Sequence, residues 1–273
     1  MADKFKATWV SFSSISDYIK CPRAYYLKNI YKNPSTGKKI EIIKPALALG
    51  SAVHNVLEPL AKIDPKKRFD TDLIQTFDKE FLKYSGKKGG FTSDEEYEEN
   101  RQKGHKMLEN VIKNSHILKD KTYISDQDLL NDWLSKDNNI VICGKIDWIN
   151  IDEENDSFTV IDFKTSKEEE KNDLQLQIYA LLLYMLNKKA VNKLYYWYIN
   201  INEELTQTNL PNLKESYNRV LEIALQISEA RRTNHFECKK KGCYACRDYE
   251  KVLAGFAEQV GIGGFGREIY ITD

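Results

Sequence analysis

The helical period is clearest between residues 45 and 61. There Ala46, Leu49, Val53, Leu57 and Leu60 recur at three- and four-residue steps and predict one amphipathic helix. Upstream, residues 11–32 read as two short helices. Ser14, Ile15, Ser16 and Asp17 supply an N-terminal capping sequence, and Pro22, which has no N–H, interrupts the run and suits the first turn of the second helix. Pro34 and Gly37 mark a loop over 33–39. Residues 66–118 predict two further helices separated by the Gly- and Lys-rich stretch 85–90, with the acidic run 94–99 as a solvated helix start.

From about residue 139 the period shortens to two. Residues 139–151 are rich in β-branched and aromatic side chains, a polar break follows at 152–156, and residues 157–165 form a second apolar run, so the pair predicts a β-hairpin. A helix over 172–186 turns Leu174, Ile178, Leu181, Leu182 and Met185 inward, a strand covers 193–201, and a long helix covers 213–232. The Gly-rich tail after residue 251 carries no interpretable pattern. Helix, strand, strand, helix, strand is the order of a mixed α/β core under an N-terminal helical layer. The expected organisation is a single domain over 1–273. It comprises N-terminal helices over 11–60, a helical insert over 61–135, a core over 136–203, a helix and cysteine cluster over 204–250, and a tail over 251–273.

Composition narrows the class. Hydrophobic residues make up 41% and charged residues 30%, the balance of a globular chain rather than a disordered one. Lys+Arg and Asp+Glu both number 41, so no net field draws the chain to nucleic acid, and any such contact must come from local basic patches. No secretory signal opens the sequence and no apolar run approaches a membrane span, which predicts a cytoplasmic protein (or one in the host cytoplasm if the source is viral) with no membrane partner. Five cysteines, an odd number, argue against a disulfide framework and for metal binding by the clustered ones. Cys143, mid-strand, reads as a small core residue.

Gly144 and Asp147 lie on one predicted strand, Asp162 and Lys164 on the next. Alternation puts Asp162 and Lys164 on one face and Ile161 and Phe163 on the other, and the hairpin brings Asp147 beside Asp162. Two carboxylates and a cation on one face suit a hard divalent ion, although Asp and Lys are also ordinary on a solvated hairpin. Gly50, His54 and Glu58 are spaced by four and share a helix face apart from the Val53 and Leu57 stripe. Gln175 and Tyr179 share another. Taken singly, His54 is more often a satisfied histidine than a ligand, and Gln175 with Tyr179 a polar helix edge.

The order of these motifs resembles the RecB-type branch of the PD-(D/E)XK nucleases: Gly50 with His54, Gly144 with Asp147, Asp162 with Lys164, Gln175 with Tyr179. Residues 11–26, with Cys21, Pro22 and Arg23, resemble the opening of the AddB-type nuclease domain, and the plan is similar to that of CRISPR-associated RecB-like exonucleases. The resemblance implies a restriction-endonuclease-like α/β fold with a mixed central sheet flanked by helices. It also implies Mg²⁺ or Mn²⁺ held by His54, Asp147 and Asp162, catalysis with Lys164, and support or DNA contact from Gln175 and Tyr179; Glu58 is added on helical geometry alone. The activity implied is exonucleolytic hydrolysis of DNA, on single strands or duplex ends, in repair, recombination, phage DNA processing or CRISPR adaptation.

The resemblance further implies a 4Fe-4S cluster on Cys21, Cys238, Cys243 and Cys246. This chain departs from the family pattern in having no cysteine downstream of Cys243 and Cys246; Cys238 lies upstream instead. Zn²⁺ on four cysteines, or on three with His235, is the alternative. Lys239, Lys240 and Lys241 inside the ligand loop, with Arg231 and Arg232, read either as DNA phosphate contacts or as solvated cations. No P-loop is present, so a helicase, recombination or CRISPR-adaptation partner would be a separate protein. The rival function is a catalytically inactive DNA-binding or assembly module beside such a helicase.

Overall fold

The computed structural model describes residues 4–127, 129–169 and 173–272. The chain runs through strand β1 (Thr8–Val10), helices α1 (Phe12–Lys20) and α2 (Pro22–Tyr25), strand β2 (Ile40–Ile42), and helices α3 (Pro45–Leu57), α4 (Leu73–Phe81) and α5 (Asp94–Lys113). Strands β3 (Leu130–Ser135), β4 (Ile140–Gly144), β5 (Trp148–Asp152) and β6 (Ser157–Lys164) follow, then helix α6 (Leu174–Asn187) and strands β7 (Val191–Tyr198) and β8 (Thr206–Thr208). Helices α7 (Leu213–Thr233) and α8 (Tyr244–Leu253) and strands β9 (Glu258–Ile262) and β10 (Glu268–Ile271) complete it.

The central sheet has the order β5-β6-β7-β8, with β6 and β7 parallel and the outer pairs antiparallel. Both faces are covered, which explains why its strands read as nearly continuous apolar runs. Phe158, Val160, Leu194, Tyr196 and Tyr198 pack with α6 and α7. Trp148, Ile161, Phe163 and Trp197 pack on the other side with α3, α4 and α5. A second mixed sheet, β1-β4-β3, adds Val10, Ile140 and Ile142 to the first of these cores. Helices α4 and α5 approach so closely that a Cβ on Gly104 would fall 2.1 Å from the Phe77 ring.

Several sequence expectations need correction. The strand expected over 139–151 is two strands in different sheets, broken at 145–147, because Gly144 packs under the Tyr179 ring and the chain there turns from one sheet to the other. Asp147 therefore sits on a connection rather than within a strand. The cap of α1 is Ser11, one turn before the expected sequence, and it exchanges hydrogen bonds with Ser14 in a capping box. Ala46 is exposed; Ala48 and Ala52 fill its place on the buried face of α3, which ends at Leu57 before a 3₁₀ turn over Glu58–Lys62. The stretch expected to be a helical insert also holds β3. The start expected at 172 for α6 lies outside the described residues. The uninterpreted tail forms β9 and β10, and β10 pairs in parallel with β2, directly ahead of α3.

A buried arginine ties the insert to the core. Arg68, 1% exposed, donates from Nε to the carbonyls of Leu60 (3.0 Å) and Ile63 (3.2 Å), from Nη1 to those of Leu118 and Asp120, and from Nη2 to Thr122 Oγ1 at 3.0 Å. Its guanidinium lies 4.8 Å from the Trp148 ring centre, the first residue of β5.

Candidate active site and thiolate cluster

The pairing of Trp148 with Ile161 continues by one step to put Asp147 opposite Asp162, and Asp147 Oδ2 accepts a hydrogen bond from the Phe163 amide at 2.9 Å. The two carboxylates thus meet as the hairpin geometry predicts, although Asp147 reaches the place from a loop. Helix α3 brings His54 from the far side: its Nδ1 lies 3.4 Å from Asp147 Oδ1 and 3.3 Å from Glu58 Oε1. Thr165 fills the space beside Gly50, where a Cβ would stand 3.1 Å from its hydroxyl, so a larger residue there would make the Thr165 side chain shift at the close approach of α3 to the end of β6. His54, Asp147, Asp162, Lys164, Thr165, Ser166 and Gln175 line an open cavity of about 290 Å³.

Asp162 is 1% exposed, contrary to the solvated-hairpin reading, because α6 covers its face of the sheet. Gln175 on α6 organises it. Its amide nitrogen donates to Asp162 Oδ1 (2.6 Å) and to the Tyr179 hydroxyl (2.9 Å), while its amide oxygen accepts from Lys164 Nζ (2.6 Å). The Tyr179 hydroxyl donates its own hydrogen bond to the Lys145 carbonyl at 2.9 Å, which fixes which way round the Gln175 amide sits. Lys164 Nζ also stands 2.8 Å from Asp162 Oδ2, an oxygen with no other partner, and 5.1 Å from the Tyr196 ring centre.

The electrostatics follow from burial and like charge. Burial, then the neighbouring Asp147 carboxylate, pushes Asp162 up to about 7 against the opposing pull of Lys164 and His54. Burial opposes charge on the His54 ring, but hydrogen bonds and charges from Asp147 and Glu58 prevail, and its pKa is pushed up to about 10. Burial alone would raise Glu58; His54 and Lys145 hold it below the usual carboxylate range. A buried carboxylate raised by its charged neighbour, beside an imidazole that two carboxylates keep protonated, makes a site with a deficit of positive charge. His54, Glu58 and Asp147 each offer a ligand atom within 4.8 Å of the others, and Asp162 adds a buried oxygen partnered by a single lysine. This donor set fits one hard divalent cation.

Lys145 escaped the sequence reading. It stands between Gly144 and Asp147, and its side chain pairs with Glu58 while its carbonyl anchors Tyr179. Only its place beside Asp147 could have marked it.

The four cysteines also converge. Pro22 disfavours helical backbone at the residue before it, so Cys21 is extended (φ −169°, ψ 116°) in the gap between α1 and α2. Its thiol and those of Cys238, Cys243 and Cys246 all lie within 4.8 Å of one another. Burial pushes Cys246 up to about 12, whereas the Gly242 amide, donating at 3.4 Å, draws the surface thiol of Cys238 down to about 6. Arg23 clasps Glu250 of α8 with two hydrogen bonds, 2.6 and 3.2 Å, across the same junction. His235 is outside the group, exposed beside Glu237, and Cys143 is buried in β4 as expected.

Lys239, Lys240 and Lys241 are exposed on the turn between Cys238 and Cys243, and the first two line a cavity of about 440 Å³ beside the thiols. Arg231 donates to the Tyr25 hydroxyl at 3.3 Å and Arg232 is paired with Glu229. No described helix is long and apolar enough to cross a membrane.

Compared with known proteins, residues 9–248 match the PD-(D/E)XK nuclease superfamily. A solved structure from Eubacterium rectale, of a protein provisionally described as an exonuclease, superposes with a TM-score of 0.48 at 12% identity, over 88% of this chain and 87% of that one. None of the curated proteins matches the sequence.

Proposed function

The chain belongs to the PD-(D/E)XK nuclease superfamily, and from that membership we propose that it hydrolyses DNA phosphodiester bonds with Mg²⁺ or Mn²⁺ held by His54, Asp147 and Asp162. The observation that carries the reading is the convergence of those three side chains and Lys164 on one open cavity. A bound divalent ion would polarise the phosphoryl oxygens and lower the pKa of a water. Lys164 orients that water or offsets charge developing on the phosphate. Gln175 holds Lys164 and Asp162 at once, and Tyr179 keeps the Gln175 amide from flipping, so both act as positioning residues. Lys239, Lys240 and Lys241 are the proposed phosphate contacts outside the site, ahead of Arg231 and Arg232, which already have partners within the chain.

Attack at ends is the finer part of the proposal. Mn²⁺-loaded protein is expected to degrade end-labelled linear DNA, single-stranded or duplex, and to leave covalently closed circles whole. Cut circles would remove the exonuclease assignment, and intact substrate of every kind would remove the nuclease reading itself.

Metal binding should depend on pH in a defined direction. The His54 ring holds a proton up to about pH 10, and only the neutral ring can ligate. Below that value each added pH unit multiplies the neutral fraction by about ten, and Asp162, pushed up to about 7, sheds its own proton over the lower part of the range, so apparent Mn²⁺ affinity rises with pH by about tenfold per unit or more. Titrations followed by Mn²⁺ electron paramagnetic resonance at pH 6.5 and 8.5 read this directly; an affinity flat across that range would exclude His54 as a ligand.

A further inference from the structure

The thiolate group is spaced for a single ion. A four-iron cluster sets a cage of iron and sulfide between its ligands and holds the thiolate sulfurs roughly 6 Å or more apart. Here all four sulfurs lie within 4.8 Å of one another, and those of Cys243 and Cys246 are 3.8 Å apart. One zinc ion with four bonds of about 2.3 Å at tetrahedral angles places its sulfurs about 3.8 Å apart.

The backbone around the sulfurs is built on the same scale. Cys238 and Cys243 each open a tight turn, closed by Lys241 N to the Cys238 carbonyl at 2.9 Å and by Cys246 N to the Cys243 carbonyl at 3.2 Å, the second running on into α8. Left-handed backbone at Lys241 (φ 51°) and Gly242 (φ 117°) swings the Gly242 amide onto the Cys238 sulfur at 3.4 Å. An amide aimed at a thiolate offsets its negative charge, as the outer shell of a closed four-thiolate site requires. The position of Cys238, upstream of the close pair rather than downstream, is what allows these two turns to follow one another.

We infer that Cys21, Cys238, Cys243 and Cys246 bind one structural Zn²⁺ rather than the 4Fe-4S cluster that family resemblance implies. The ion joins the start of α2 to the start of α8 and takes no part in hydrolysis, so the inference stands independently of the proposed activity.

The test is the metal content of the intact chain, produced with iron, sulfide and zinc all supplied and purified without oxygen. About one zinc per chain, no acid-labile sulfide and no broad band near ~400 nm are expected. Replacing the zinc with Co²⁺ is expected to give the intense visible bands of tetrahedral cobalt thiolate. Cys238→Ser is expected to weaken zinc binding by at least the roughly 10–100-fold that loss of an outer-shell partner costs. Should that variant fail to fold, release of one zinc from the unaltered chain to a coloured chelator gives the same stoichiometry. Iron with sulfide, iron alone, or no metal at all would each overturn the inference.

Discussion

Lys164→Ala is expected to lower DNA hydrolysis at saturating Mn²⁺ by about 10²–10³-fold, the cost of removing one preorganised charge from a transition state. The size of the effect follows from how firmly Lys164 is held. Gln175 accepts from it at 2.6 Å, Asp162 stands 2.8 Å away and the Tyr196 ring lies beneath. Such a group loses little freedom when the reaction needs it. The metal-free variant leaves Asp162 buried beside Asp147 without its cation, so the comparison must be made with metal saturating, as kcat rather than kcat/KM. Lys164→Arg restores charge but cannot reproduce the point contact with Gln175 and should recover only part of the rate. If Lys164→Ala kept more than about a tenth of the activity, its loss would cost under 1.4 kcal/mol and no such role would remain.

Arg68→Met is expected to cost about 3–5 kcal/mol of folding stability, because it removes a buried guanidinium that hydrogen-bonds four carbonyls and a hydroxyl. Methionine fills much of the volume, so the loss reflects hydrogen bonding rather than a cavity. The guanidinium serves the carbonyls of Leu60, Ile63, Leu118 and Asp120, which lie on two segments far apart in sequence, and it stacks on Trp148. For a chain of this size the thermal midpoint should fall by on the order of 10 °C. Lysine cannot serve five acceptors in a plane, so Arg68→Lys should recover little. A midpoint shift under about 2 °C would mean the clasp contributes almost nothing. Trp148 adjoins Asp147, so the same variant should also weaken Mn²⁺ binding before it unfolds.

The elements that signalled themselves in the sequence were those whose own side chains decide their structure. Helices α3, α5 and α7 have periods or caps, with Ser93 capping α5 and Asn212 capping α7, and α6 is a long apolar run buried nearly all round. The β5–β6 hairpin carries its turn chemistry, with Asp152 accepting from the Asn155 amide and Asp156 in left-handed backbone. The short strands β1, β2, β9 and β10 were not legible, because three to five residues carry little alternation, and β1, β2 and β10 depend on partners more than a hundred positions away. The break at 145–147 was hidden for a related reason. Ile146 and Trp148 continue the apolar alternation, and only the packing of Tyr179 against Gly144 shows that the strand ends. At the site, Asp147, Asp162 and Lys164 could be placed on one face by counting. The burial of Asp162 could not, since it depends on α6 folding back over the sheet. Arg68 looked like any surface cation until the carbonyls around it were in place.

The pairing of β2 with β10 orders events as the chain is made. His54, Asp147, Asp162, Lys164, Gln175 and Tyr179 have all left the ribosome well before Cys238, Cys246 and β10 are synthesised. Yet β2 leads straight into α3 and lies against β10, and Cys21 awaits thiols from the far end. The strand that leads into the His54 helix therefore gains its partner only after every residue of the candidate site has been made.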